Sequence, residues 1–363
     1  MNIHLIAAAR PNFMKVAPLY HELEKRPGLT PRIIHTGQHY DVNMSDVFFK
    51  DFNLPEPYIH LGVGSGTHAS QTGQVMIAYE QVLMDETPDL VIVVGDVNST
   101  MAATLSASKL GIPVAHLEAG LRSFDRRMPE EINRMVTDTL ADYLWTPSRD
   151  GDENLIREGV DAAKISFVGN IMIDTLELVR TKIESLDVAS EFDLSGKPYG
   201  LVTLHRPSNV DDPDTLALLC STLARMSSDL PLVFPVHPRT RSRIREHGLD
   251  GILDGASNIH LADPLGYTAF MNLVMNARVL VTDSGGIQEE TTYLGIPCLT
   301  LRENTERPVT VTQGTNQLCR VRDLETAVDD ILNGRYKTGS VPELWDGNTA
   351  VRIGDLIQNT ILV

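Results

Sequence analysis

Leu90-Val91-Ile92-Val93-Val94-Gly95-Asp96 runs apolar through Val94 and then stops on a glycine and a carboxylate. A strand that is apolar on every residue has to be covered on both faces, the position of a central strand in a parallel sheet flanked by helices. The same pattern repeats on either side. Ile3-His4-Leu5-Ile6-Ala7-Ala8 and Ile33-Ile34-His35 read as strands; between them Val16, Leu19, Tyr20 and Leu23 fall at i, i+3, i+4 and i+7, one face of a helix. Val114-Ala115-His116-Leu117 is the next strand, with helical patterns near 68–84, 98–110 and 130–141. A second series follows Phe167-Val168-Gly169-Asn170, with strands at 200–204, 232–236, 259–261, 279–282 and 298–301. Strands alternating with helices predict doubly wound parallel sheets. The expected fold is α/β, two Rossmann-like domains in tandem over 1–169 and 170–349, with a last helical stretch near 350–361 that either domain can claim.

The 363 residues suit two domains at roughly 100–200 residues each. Apolar residues make up 42% and charged residues 22%, the balance of a globular chain rather than a disordered or fibrous one. Asp and Glu number 48 against 31 Lys and Arg, a formal net charge of −17. That argues against general binding to nucleic acid or to an anionic membrane surface. A small anion remains a suitable ligand, because it needs only a local cationic pocket. Cys220, Cys298 and Cys319 are odd in number, far apart and without CxxC spacing, the pattern of reduced thiols in a cytoplasmic protein. No apolar run reaches the roughly 18–20 residues that span a bilayer. The opening MNIHLIAAARP has no basic segment ahead of its apolar run and reads as a first strand rather than a leader.

In doubly wound sheets ligands bind where strands end, and nearly every strand here ends on polar residues beside Gly or Pro. Thr282-Asp283-Ser284-Gly285-Gly286-Ile287-Gln288-Glu289-Glu290 carries a strand into Ser-Gly-Gly and then a helix. Glycines let backbone N–H groups approach a phosphate, and Ser284 can cap the helix while donating to the same anion. Glu290, further along, can accept from a ribose diol. A plain capped helix with an acidic first turn explains Ser284 and Glu289 alone. Asp96 follows one strand, Glu118 the next, and Glu130 follows Pro129 at a helix start. Three carboxylates at one rim suit acid–base work. Taken singly, Asp96 can be an N-cap, Glu130 a first-turn charge and Glu118 a partner for Arg122. Arg10 is placed to clamp a phosphate, whereas Lys15 reads from spacing as a solvated surface lysine. His205 can offset diphosphate charge; His237, before Pro238, can simply close a turn. Gly62-Val63-Gly64-Ser65-Gly66 lacks dinucleotide-loop spacing, there is no Walker A sequence, and His35 and His39 flank Gly37 at a strand end. No nicotinamide cofactor and no metal are expected.

Eight segments then carry a resemblance to the non-hydrolysing UDP-N-acetylglucosamine 2-epimerases over essentially the whole chain: ARPNFMK around Arg10, GQHYD from Gly37, GDVNST from Gly95, HLEAGLRSFDRRMPEEINR from His116, TLHRPSNVDDP from Thr203, PVHPRT from Pro235, TDSGGIQEE from Thr282 and LRENTERPVT from Leu301. The resemblance implies two Rossmann-like domains facing across a cleft, the GT-B arrangement, with the final helix, 350–363, returning to the first domain. It implies a cytoplasmic homodimer that interconverts UDP-GlcNAc and UDP-ManNAc and supplies surface-polysaccharide precursors. Arg10, His205, Ser284, Gly285 and Gly286 would hold the diphosphate, Glu290 the ribose, and Phe270 with its neighbours the uracil. Asp96, Glu118 and Glu130 would do the acid–base work beside His205, with Lys15 and Arg307 supporting the site. Gln38, Arg206 and His237 are the candidates for binding a second, activating UDP-GlcNAc.

The chain departs from the family at Ala8-Ala9, where many relatives have Gly-Thr, at Asn12, where they have an acid, and at Gln38-His39-Tyr40-Asp41, where regulated members have Gln-His-Arg. The rival readings are a hydrolysing relative, an epimerase of a UDP-diacetamido-uronic acid, a GT-B glycosyltransferase, and a silent nucleotide-sugar sensor.

Overall fold

The computed structural model describes residues 1–8, 10–37 and 51–361, and of Arg10 and Pro11 the backbone only. The chain divides into two compact units, 1–179 with 343–363, and 180–342. In the first, strands β1 (Asn2–Ala7), β2 (Thr30–His35), β3 (Ile59–His60), β4 (Leu90–Val94), β5 (Val114–Leu117), β6 (Tyr143–Thr146) and β7 (Ile165–Phe167) lie in the order β3-β2-β1-β4-β5-β6-β7. Every pair is parallel. All five residues of β4 are buried, because β4 is central and its faces meet both helix layers. Ile6, Ile34, Tyr79, Val91, Val93, Val114 and Leu144 share one core. The strand order reverses between β1 and β4, which is where such a sheet opens a ligand crevice.

The second unit repeats the scheme. β8 (Gly200–Thr203), β9 (Leu232–Pro235), β10 (Ile259–Ala262), β11 (Val279–Thr282), β12 (Cys298–Thr300) and β13 (Asn316–Leu318) lie in the order β10-β9-β8-β11-β12-β13. All are parallel, and the order reverses between β8 and β11. Val202, Leu219, Leu223, Phe234, Val281 and Leu299 belong to its core. Helices Pro129–Leu140, Pro213–Met226 and Pro238–Glu246 open on proline, whose missing N–H would have had no intrahelical partner there.

Strands β3, β6, β7 and β13 go beyond the sequence reading. They have two to four residues each, and Asn316-Gln317-Leu318 is polar at two of three positions. Pairing with a neighbouring strand makes them strands, a force that local periodicity does not register.

The division between units falls inside helix Ile171–Glu184, ten residues beyond Gly169. Gly169 itself (φ +92°) is pressed against the returning chain, where an added Cβ would lie 2.2 Å from the Leu344 carbonyl oxygen. The chain re-enters the first unit at 343 and forms helix Thr349–Leu356, followed by a π turn. Asp174 caps that helix by accepting from Thr349 N (3.1 Å) and Ala350 N (2.8 Å). Arg26 clamps its far end through Asp355, Gln358 and the Val351 carbonyl. Among the described residues no helix is long and apolar enough to cross a membrane.

Candidate functional site

The strand ends of the first unit gather acids with their own cations. Gly95 turns with φ +69°, and an added Cβ would sit 3.3 Å from Lys15 Nζ and 3.5 Å from Glu118 Oε2. Lys15 forms a salt bridge with Glu118, and both are buried, at 8% and 3% exposure. The expected solvated lysine is therefore corrected: helix Arg10–Glu24 turns Lys15 inward. Asn12 beside it donates to the Val94 carbonyl at 2.8 Å, so the departure from an acid supplies a tether on the end of β4. Glu118 has φ +74°, the one buried member among the described non-glycine residues with positive φ. That conformation costs on the order of 1–2 kcal/mol for an L-residue, and strain of this kind concentrates at functional sites. Its Oε1 is buried with no hydrogen-bond partner among the described residues.

Asp96 accepts from Arg134 Nη2 (2.8 Å) and Nε (3.1 Å) and stays partly exposed. It does not hold the N-cap position of helix Asn98–Lys109, which falls to Val97. Glu118 does not meet Arg122 as one reading had it; Arg122 binds Asp138 and Glu158. Glu130 is exposed in the first turn of Pro129–Leu140. Its neighbour Glu131 is buried, accepting from Ser123 N and Oγ, Phe124 N and Arg134. Lys15 is thus paired with Glu118 and Arg134 with Asp96. The side chain of Arg10 and all of Gln38 lie outside the described residues.

The second unit is built around a carboxylate that the sequence reading had given no role. Asp283, fully buried at the end of β11, accepts from His205 N, Arg206 N and Asn209 Nδ2, and lies 3.0 Å from His205 Nδ1. Burial works to raise its pKa, but the His205 imidazole and these donors hold it below the usual carboxylate range. It sets His205, whose side chain is 41% exposed, at the end of β8. His237 stacks obliquely on His205 with ring centroids 5.5 Å apart, and its Nδ1 accepts from Arg239 N at the start of Pro238–Glu246. Arg206 Nε donates to the Asp283 carbonyl.

Ser284 occupies the N-cap of helix Gly285–Leu294, yet its hydroxyl makes no cap bond, contrary to the expected capping. An unpaired first turn suits an anion, because the opening N–H groups of a helix have no partners within it. Gly285 is closely packed: a Cβ would lie 2.7 Å from Arg307 Nη1 and 2.8 Å from Glu306 Oε1, and these side chains would have to shift to admit it. Arg307 is itself fastened by ion pairs to Glu289 and Glu306. Gly286 and Phe270 are half-buried, and buried Glu290 accepts from Tyr267 Oη at 2.8 Å. Gln288, bonded by Thr305 and Asn316, braces the helix from behind.

A family model described as UDP-N-acetylglucosamine 2-epimerase matches residues 21–358. The chain belongs to the UDP-N-acetylglucosamine 2-epimerase family. It is 44% identical over 340 residues to the UDP-N-acetylglucosamine 2-epimerase of Methanocaldococcus jannaschii, covering 92% of this chain and 93% of that one. It is 41% identical over 322 residues to a UDP-2,3-diacetamido-2,3-dideoxy-D-glucuronate 2-epimerase of Pseudomonas aeruginosa, covering 88% of each. The crystal structure of the M. jannaschii UDP-GlcNAc 2-epimerase in complex with UDP-GlcNAc and UDP superposes with a TM-score of 0.90 at 42% identity, covering 99% of both chains.

Sequence reasoning had not singled out Asp283, Tyr267 or Arg134 within this family framework. Asp283 had a usable signal, a carboxylate directly after an apolar strand and before Ser-Gly-Gly. Tyr267 and Arg134 had none, since their roles arise from contacts 23 and 38 residues away along the chain.

Proposed function

We propose that this chain interconverts UDP-GlcNAc and UDP-ManNAc by inverting C2 of the sugar. The observation that carries the reading is the likeness, over 99% of both chains, to an epimerase crystallised with UDP-GlcNAc and UDP. The C2 hydrogen has no adjacent carbonyl, so a side-chain base cannot remove it from the intact sugar. If the C1–O bond to UDP breaks, positive charge at C1 acidifies that hydrogen. A carboxylate then takes the proton, UDP carries off the bonding pair, and a 2-acetamidoglucal remains. Protonation of C2 from the opposite face and return of a UDP oxygen to C1 complete the inversion. Proton donors on two faces require more than one acid, which supports assigning Asp96, Glu118 and Glu130 to the shuttle.

In this reading His205, Arg10 and the Ser284-Gly285-Gly286 helix start hold the diphosphate, stabilising the departing charge by an amount on the order of several kcal/mol. Glu290 holds the ribose, Phe270 packs on the uracil, Lys15 keeps Glu118 in place and Arg307 shapes the ground beneath Gly285. Arg206, His237 and Gln38 serve a second, regulatory nucleotide sugar. The enzyme works in the cytoplasm as a homodimer, without nicotinamide or metal; light scattering at twice the chain mass checks the dimer.

The decisive experiment incubates the protein with UDP-GlcNAc in D₂O, free of NAD and chelated of metal, and follows the anomeric region by NMR. UDP-ManNAc carrying deuterium at C2 is expected. Product without deuterium excludes elimination, and release of free ManNAc with UDP marks a hydrolysing enzyme. A second reading, a UDP-diacetamido-uronic acid as substrate, is favoured by the 41% identity to the P. aeruginosa enzyme. Comparing kcat/KM for the two nucleotide sugars decides between them.

A further inference from the structure

Buried beneath the acids of the first unit is a histidine that the proposed chemistry does not use. His116 lies inside β5 with no exposed surface. Its Nε2 is 2.9 Å from the Gly95 carbonyl oxygen and its Nδ1 is 2.5 Å from Asp138 Oδ1. A backbone carbonyl and a carboxylate only accept, so both ring nitrogens must donate. The second oxygen of Asp138 accepts from Gly120 N at 3.1 Å and pairs with Arg122 at 2.7 Å. Burial would raise the Asp138 pKa, but His116 and Arg122 hold it below the usual carboxylate range.

These bonds reach both turns that carry the acids. Gly95 precedes Asp96 and lies against Lys15 and Glu118. Gly120, two residues after Glu118, has φ +79° and no room for a side chain, since a Cβ would lie 2.4 Å from the Gly151 carbonyl oxygen. Glu118 is thus held in its left-handed conformation from both sides: its own N–H and that of Ala119 reach the Trp145 carbonyl, and Gly120 is fastened to Asp138. We infer that His116, oriented by Asp138, is a positioning residue whose Nε2 ties the Gly95-Asp96 turn to β5, the strand that Glu118 follows, and so fixes the two carboxylates relative to each other. This rests on the epimerase reading above and names a part of its machinery that touches no substrate.

Asn and Gln variants separate the two bonds. In His116→Asn the side-chain amide can donate where Nδ1 stood, keeping Asp138 and releasing Gly95. His116→Gln does the reverse. The Asn variant is expected to lose kcat by about 10–100-fold, the scale of a misplaced catalytic group, with KM and the Kd for UDP within about twofold of wild type. The Gln variant is expected to retain kcat within about threefold. Equal losses in both, tracking the folded fraction, would reduce His116 to a core residue and overturn the inference. Should neither variant fold, ¹⁵N-histidine NMR of the wild type reads the geometry directly: one histidine should show two ring N–H protons protected from solvent, and their absence removes the lock. A wild type that leaves UDP-GlcNAc untouched overturns the epimerase reading and this inference with it. A wild type that epimerises beside an equally active Asn variant overturns this inference alone.

Discussion

The two sheets share one strand order and end it on different side chains. At the reversal between β1 and β4, the first unit presents carboxylates, each matched to a buried cation: Glu118 to Lys15 and Asp96 to Arg134. At the reversal between β8 and β11, the second unit keeps its carboxylate, Asp283, fully buried and presents an imidazole and a glycine-paired helix start. Topology says where a site can form, and the side chains placed there set its chemistry. The two ends also differ in what holds them. The first relies on ion pairs and a strained backbone, the second on hydrogen bonds converging on one acid and on the close packing of Gly285 against Arg307 and Glu306.

The sharpest way to break this contrast is Asp96→Asn. Turnover should fall by about 10²–10⁴-fold, while UDP affinity by calorimetry stays within about twofold; a large loss of affinity would move Asp96 among the ligand-holding groups. Lys15→Met leaves Glu118 buried without its cation. Removing one partner of such a pair costs about 3–5 kcal/mol, to be read from denaturant unfolding at pH 7.5, and a loss below about 1 kcal/mol would mean that Glu118 is solvated in solution. Gly285→Ala tests the other end. The methyl group collides with Arg307 and Glu306, a cost of about 1–3 kcal/mol that should weaken UDP binding about tenfold or more while sparing turnover at saturating substrate.

The smallest effect concerns Asp174, an acid with no ion pair among the described residues. Burial pushes Asp174 up to about 6, against the pull of its two backbone donors. A carboxylate whose folded pKa is raised binds its proton more tightly when folded, so stability should rise as pH falls from about 7 through 6 toward 4. Asp138 and Asp283, held low, act in the opposite direction and only at more acidic pH, where their contribution is lost. Between pH 7.5 and 5 the wild type should therefore gain about 1–1.5 kcal/mol relative to Asp174→Asn. Parallel pH profiles would show that the return helix is not held by an ionisable cap.

Much of this was legible from short segments. Leu90–Val94 announced a strand covered on both faces, and all five residues are buried. Ser284-Gly285-Gly286 announced a helix start, and helix Gly285–Leu294 begins there, with Gly285 packed against the Arg307 guanidinium some 20 residues on. Lys15 was misread because an amphipathic pattern does not reveal a carboxylate waiting 103 residues later. Glu130 and Glu131 are indistinguishable by composition, and only the turn at Ser123 and Phe124 takes one of them inside.

The amino-acid sequence by itself determined the alternation of strands and helices, the two parallel sheets and the polar residues at their strand ends, because periodicity and turn chemistry act over a few residues. Only the tertiary structure decided which acids are buried, which cation meets each, and how His116 and Asp283 brace the turns above them. Those pairings join residues far apart in the chain, and the energy of a buried charge depends on what surrounds it in space.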